Sequence, residues 1–156
     1  MTIRPASADE MDVVRLMFRE YEADIKVDLC FQGFAEELAG LPGRYAVPAG
    51  VILLAWDGAA PLGCVAMRPL DPDTCEMKRL FVRPAARGTG LGRMLVDAIL
   101  AAGRAAGYSA IRLDTLPQMQ RAIQMYRQIG FVDIPPYNNA PLVGVVYLQK
   151  SLLLPD

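Results

Sequence analysis

Histidine is absent from the chain's 156 residues. That absence excludes Ser-His and Cys-His nucleophile pairs and His-based metal sites. Proton transfer therefore falls to Glu, Asp, Tyr, Lys or Cys. Cysteine is scarce too. Cys30, Cys64 and Cys75 are odd in number and follow no ligand spacing, so they read as reduced thiols of a cytoplasmic protein, with no disulfide framework. No apolar run approaches the roughly 20 residues of a membrane span, and the opening M-T-I-R-P-A-S-A-D-E has no apolar leader core. Net charge is almost missing: −1 overall argues against broad nucleic-acid binding. What remains is a globular composition, 53% hydrophobic and 21% charged, with one domain expected over residues 1–156 around a single core.

The stretch that organises the chain is E-M-K-R-L-F-V-R-P-A-A-R-G-T-G-L-G-R-M-L, from Glu76 onward. Residues 75–82 read as a strand, closed by Arg83-Pro84 because proline cannot donate to a ladder. Leu91, Met94, Leu95, Ala98, Ile99 and Ala102 then fall at helical spacing on one face. Between them, Arg87, Gly88, Thr89, Gly90, Leu91, Gly92 and Arg93 place main chain with few side chains at a helix N-terminus. Free N–H groups and the helix dipole make that a site for a phosphate or pyrophosphate. The spacing is discriminating. A P-loop needs Lys-Ser or Lys-Thr after the last glycine, where this chain has Arg93-Met94. The dinucleotide fingerprint is G-x-G-x-x-G, and Gly88, Gly90 and Gly92 give G-x-G-x-G.

The pattern met by Arg87, Gly90 and Gly92 is R-x-x-G-x-G, directly after the strand. It resembles the coenzyme A-binding motif of the GNAT N-acetyltransferase superfamily. A second anchor, Tyr126-Arg127-Gln128-Ile129-Gly130-Phe131, is similar to the Y-x-x-x-G-F segment that closes that family's last helix. The rest of the chain suits the resemblance. Strands are predicted at 2–4, 51–56, 62–68, 75–82, 108–114, 131–134 and 143–149. Helices are predicted on Met11, Val14, Met17, Phe18 and Tyr21 after a Ser7–Glu10 capping box, and on Phe31, Phe34, Leu38 and Leu41. Two more follow, on the central stretch and on Met119, Ala122, Ile123, Tyr126 and Ile129. The resulting order, β-α-α-β-β-β-α-β-α-β-β, is that of the acyl-CoA N-acyltransferase fold, a mixed α/β sheet in a single domain.

The resemblance implies an enzyme that moves an acetyl group from acetyl-CoA to a primary amine of a small molecule or peptide, without a metal. It puts the pantetheine arm along the backbone of Leu80, Phe81 and Val82. The pyrophosphate falls on Arg87 to Gly92, with Arg93 close by. Glu76 stands where family members with a strand glutamate base carry it, and Tyr126 matches the helix tyrosine aimed at the coenzyme sulfur. The plainer readings are a carboxylate paired with a nearby cation and a core aromatic. Asp114 and the loop residues Tyr137, Asn138 and Asn139 are lesser candidates for the acceptor side. Cys75 reads as a buried thiol.

Charge is placed unevenly. Residues 9–37 hold nine acidic side chains against three basic, and residues 78–104 hold six basic against Asp97 alone. Beyond solvated helix faces, this suits a polyphosphate at the glycine turn and a cationic acceptor near the N-terminal helices. Two rival readings are a non-catalytic acyl-CoA-binding or interaction module and a nucleotide-binding protein. A homodimer paired through an exposed final strand is a further expectation.

Overall fold

The structure, a computed structural model, describes residues 1–153. In chain order the elements are β1 (Thr2–Pro5), α1 (Met11–Ile25), α2 (Phe34–Ala39), β2 (Val51–Asp57), β3 (Ala60–Pro69) and β4 (Thr74–Val82). They continue as α3 (Leu91–Ala105), β5 (Ala110–Thr115), α4 (Gln120–Ile129), β6 (Val132–Asp133) and β7 (Val146–Ser151). All seven strands form one sheet in the order β1-β2-β3-β4-β5-β7-β6. The meander β2-β3-β4 is antiparallel. β4 and β5 run parallel because α3 crosses between them.

Helices cover both faces, so the sheet separates two apolar layers. Under α3 and α4 lie Met67, Cys75, Leu95, Ile99, Ile111 and Leu148. Under α1 and α2 lie Met17, Phe18, Phe34, Leu54 and Phe81. α1 starts as the sequence predicts, with the Ser7 N–H donating to Glu10 Oε1 at 2.9 Å. α4 ends at Gly130, whose φ of 117° suits only glycine, and Phe131 folds back so that its ring sits 5.6 Å from that of Tyr126. No helix among the described residues is long and apolar enough to cross a membrane.

Several boundaries differ from the sequence reading. Met94 is exposed, because the buried stripe of α3 runs through Leu91, Leu95, Val96, Ile99, Leu100 and Gly103. Phe31 is also exposed. It lies in a separate 3-10 turn (Cys30–Gln32), and α2 begins only at Phe34. The last strand starts at Val146, after a turn in which Gly144 has φ 77°. It is not at the sheet edge as expected: β7 pairs with β5 along its length, and β6 covers Leu148 and Gln149.

The irregularity that matters lies in β4. Its register against β3 slips between Lys78↔Ala66 and Phe81↔Cys64, and Arg79 has φ 62°. This is a bulge with a non-glycine residue in the left-handed region, a conformation that costs about 1–2 kcal/mol. Strict alternation, which would put Glu76, Lys78, Leu80 and Val82 on one face, therefore fails. Phe81 packs in the α1/α2 layer, whereas Leu80 and Val82 pack against the α3/α4 layer.

Candidate active site

The split in the sheet makes the site. β4 and β5 pair only through Thr74↔Ala110, Cys75↔Ile111 and Glu76↔Arg112. Beyond Glu76 the two strands part, while β5 stays with β7 as far as Thr115↔Val146. Leu80, Phe81 and Val82 are thereby left beside an open strand edge. The cleft has Met77 and Leu80 on one wall, Leu113 on the other, and Met119 and Tyr126 at the α4 side.

Where β4 runs out, the chain turns through Gly88 (φ 80°) and Gly90 (φ 85°) into α3. A Cβ at either glycine would meet no atom within 4 Å, so close packing does not explain their presence. The backbone angles do, and the bare main chain they leave is exposed. Among the described residues, the N–H groups of residues 88–93 have no protein acceptor; the first helix-closing bond is Met94 N–H to Gly90 O at 3.1 Å. Thr89 Oγ1 is turned inward onto Ala86 O at 2.6 Å. Successive unpaired N–H groups at the positive end of a 15-residue helix form a concave anion site.

The arginines flanking the turn are partly engaged. Arg87 donates from Nε to Val82 O at 3.0 Å and pairs with Asp24 at 2.9 Å. Arg93 pairs with Asp97 at 3.2 Å on an exposed helix face. Arg83 is paired with Glu20 at 2.7 Å and Arg79 with Glu37 at 2.8 Å. The acidic N-terminal segment and the basic central one thus neutralise each other across space. The uneven charge along the sequence is accounted for by these pairs, and it leaves α1 and α2 with few free carboxylates to attract a cation.

On the α1/α2 face of β4, charged side chains are buried in a chain of contacts. Glu76 is 1% exposed. Its Oε1 accepts from Arg68 Nε at 2.9 Å and its Oε2 from Tyr137 at 2.7 Å. Glu76 does not line the cleft, and Asp114 does. Asp114 Oδ2 accepts from Asn138 Nδ2 at 2.8 Å, and its Oδ1 stands 3.8 Å from Lys78 Nζ. Lys78 donates to Gln32 Oε1 at 3.1 Å, and Arg79 donates to the same oxygen at 2.9 Å. Burial pushes the Lys78 ammonium below the usual lysine range. In the sequence Lys78 is no more than one of the cations near Glu76. The signal is there, since Glu76, Lys78 and Arg79 put three charges within four residues of a strand otherwise apolar enough to be interior.

Tyr126 is buried, lines the cleft, and donates to no protein atom among the described residues. Burial pushes its hydroxyl above the ordinary tyrosine value, so it stays protonated and able to donate. Burial likewise raises Cys75 to about 12, which leaves it an inert thiol. Among the described residues no group of three or more Cys, Asp or Glu is placed to hold a metal ion.

A backbone anion site follows in the chain directly after the strand whose edge is split, and comparison with known proteins agrees with that geometry. The model of the Acetyltransferase (GNAT) family matches residues 14–131. An uncharacterised N-acetyltransferase of Schizosaccharomyces pombe is 41% identical over 146 residues, covering 92% of this chain and 89% of its own. Two solved structures share the fold. One is a GNAT-family acetyltransferase of Staphylococcus aureus (TM-score 0.80, 18% identity, 97% of this chain and 98% of its own). The other is yncA of Salmonella typhimurium, a protein described as a putative acetyltransferase and solved with acetyl-CoA (TM-score 0.75, 19% identity, 100% and 98%). The chain belongs to the GNAT family of acetyltransferases.

Proposed function

We propose that this chain transfers an acetyl group from acetyl-CoA to a primary amine by direct attack in a ternary complex. The observation that carries the reading is the run of unpaired N–H groups over residues 88–93, in the turn that follows β4. Acetyl-CoA presents a diphosphate and, one pantetheine arm away, a thioester. The cradle holds the first, and the open edge at Leu80, Phe81 and Val82 guides the arm inward. A backbone N–H near Leu80 polarises the thioester carbonyl as a fixed donor.

An amine with the reference lysine pKa of about 10.4 is neutral in only about one molecule per thousand near pH 7.4. A base must therefore take a proton before the nitrogen attacks. We assign that role to Asp114, the carboxylate that lines the cleft. Glu76, which the motif position nominates, has both oxygens engaged and acts as a positioning residue for Arg68 and Tyr137. Asp114 passes the proton taken from the ammonium on to solvent. As the nitrogen–carbon bond forms and the carbon–sulfur bond breaks, it takes the second nitrogen proton, which later returns the hydroxyl of Tyr126 to its protonated form through water. Tyr126 donates its proton to the departing thiolate.

The test is acetyl-CoA turnover over a panel of primary amines, read by free thiol release. Acceptor-dependent release is the expected result. Tight acetyl-CoA binding with no release for any amine would favour the non-catalytic acyl-CoA module. Binding of ATP in preference to acetyl-CoA would overturn both.

A further inference from the structure

We propose that the acceptor is an amino acid with an apolar side chain, its carboxylate bound by Lys78 and its amino group presented to Asp114. The inference rests on the acetyltransferase reading above and names the substrate class of the same site.

Lys78 is the unusual group in the cleft. Its ammonium has three N–H donors in a position only 6% exposed, and among the described residues one of them is used, on the neutral oxygen of Gln32 at 3.1 Å. Asp114 Oδ1, at 3.8 Å, is within ion-pair range but beyond a hydrogen bond. The two neighbouring cations differ. Arg79 is bidentate to Glu37 and also bonded to Gln32, and Arg68 is bonded to Glu76. Lys78 therefore keeps spare donors facing the cleft, which is costly for a buried charge unless an anion completes the set. Burial already disfavours its charged form.

Asp114 mirrors this. It is the carboxylate among the cleft-lining residues, and its hydrogen bond from Asn138 leaves lone pairs free. A molecule carrying one carboxylate and one ammonium on the same carbon would satisfy Lys78 and Asp114 together. It would also hold the amine at the residue that takes its proton. The lining mixes polar groups, Gln32 and Thr115 among them, with an apolar set formed by Ile25, Leu29, Phe31, Leu142 and Val145. The apolar set fits a hydrocarbon or thioether side chain and offers nothing to further charges. The charged lining is Lys78 and Arg79 against Asp114, a balance that disfavours a polycationic acceptor.

The experiment compares L-leucine, L-methionine and L-phenylalanine with their decarboxylated amines and carboxamides, in wild type, Lys78→Met and Lys78→Arg. Lys78→Met keeps the volume and removes a buried charge, so the fold persists, which a melting curve checks. In the wild type, kcat/KM for the amino acid should exceed that for its decarboxylated amine by about a hundredfold, as expected for hydrogen bonds to a charged partner. Lys78→Met should bring the ratio to near unity, mainly through KM, and Lys78→Arg should restore part of it. A wild-type ratio near or below one, a preference for polyamines, or a ratio unmoved in Lys78→Met would overturn the inference while leaving an acetyltransferase. Failure of every acceptor to raise thiol release would instead overturn the acetyltransferase reading, and this inference with it.

Discussion

In the turn after β4, residues 88–93 offer main-chain N–H groups fixed by two left-handed glycines and a helix start. Around the cleft, the working groups are side chains brought in from four places: Gln32 and Glu37 before and within α2, Lys78 and Arg79 on β4, Asp114 on β5, and Asn138 in the loop before β7. The first set costs the protein little, because exposed amides are solvated until a ligand arrives. The second places buried charges where each must be balanced by another. A donor common to a family is met with backbone, which no side-chain substitution removes. The acceptor is met with side chains, which can be exchanged singly.

That contrast can be broken in order of effect. Asp114→Asn should lower kcat by about a thousandfold, within the range of a lost acid–base group, with acetyl-CoA affinity unchanged by calorimetry. The matched substitution Glu76→Gln should leave kcat within about threefold and instead cost about 2 kcal/mol of stability, since Arg68 loses its charged partner. The reverse pattern would return the base to Glu76. In the backbone set, Gly92→Asp should weaken acetyl-CoA binding by about a hundredfold without lowering the melting temperature. Gly92 has no left-handed φ, its Cβ would stand 3.9 Å from Val82 Cγ2, and an acidic residue suits a first helical turn.

Tyr126→Phe should lower kcat by about thirtyfold, less than loss of the base, because water can partly replace a donor. Burial keeps this hydroxyl above its ordinary value of 10.0, so the alkaline limb of the wild-type profile should survive in the variant. The smallest effect lies outside the cleft. Arg4 holds Glu10 down at about 2, from 4.5. A depressed carboxylate contributes its stability above pH 4.5 and loses it as pH falls toward 2. Glu10→Gln should therefore lose less than about 1 kcal/mol at pH 7, as befits an exposed pair, and nothing at pH 2, by denaturant melts.

The two sets were not equally legible. The cradle is a local feature, set by spacing within Arg87 to Gly92, and the fold followed from hydrophobic periodicity and the Gly130 cap. Asp114, Tyr137 and Asn138 could be placed near the acceptor, but motif position ranked them below Glu76. The deciding contacts join residues 42, 46 and 63 apart: Arg79–Glu37, Lys78–Gln32 and Arg83–Glu20. The two charged segments were plain in the sequence, and their pairing with each other was not. The bulge at Arg79 also leaves no local mark, since a non-glycine residue at positive φ is held there by partners far away in the chain.

The central claim is that the main-chain amides of residues 88–93 hold the diphosphate of acetyl-CoA. An amide-resolved NMR titration of the full chain with acetyl-CoA tests it directly. The account predicts that these six N–H signals move downfield together and become protected from exchange at saturation. Saturable binding that leaves them in place, while amides elsewhere shift, would contradict it.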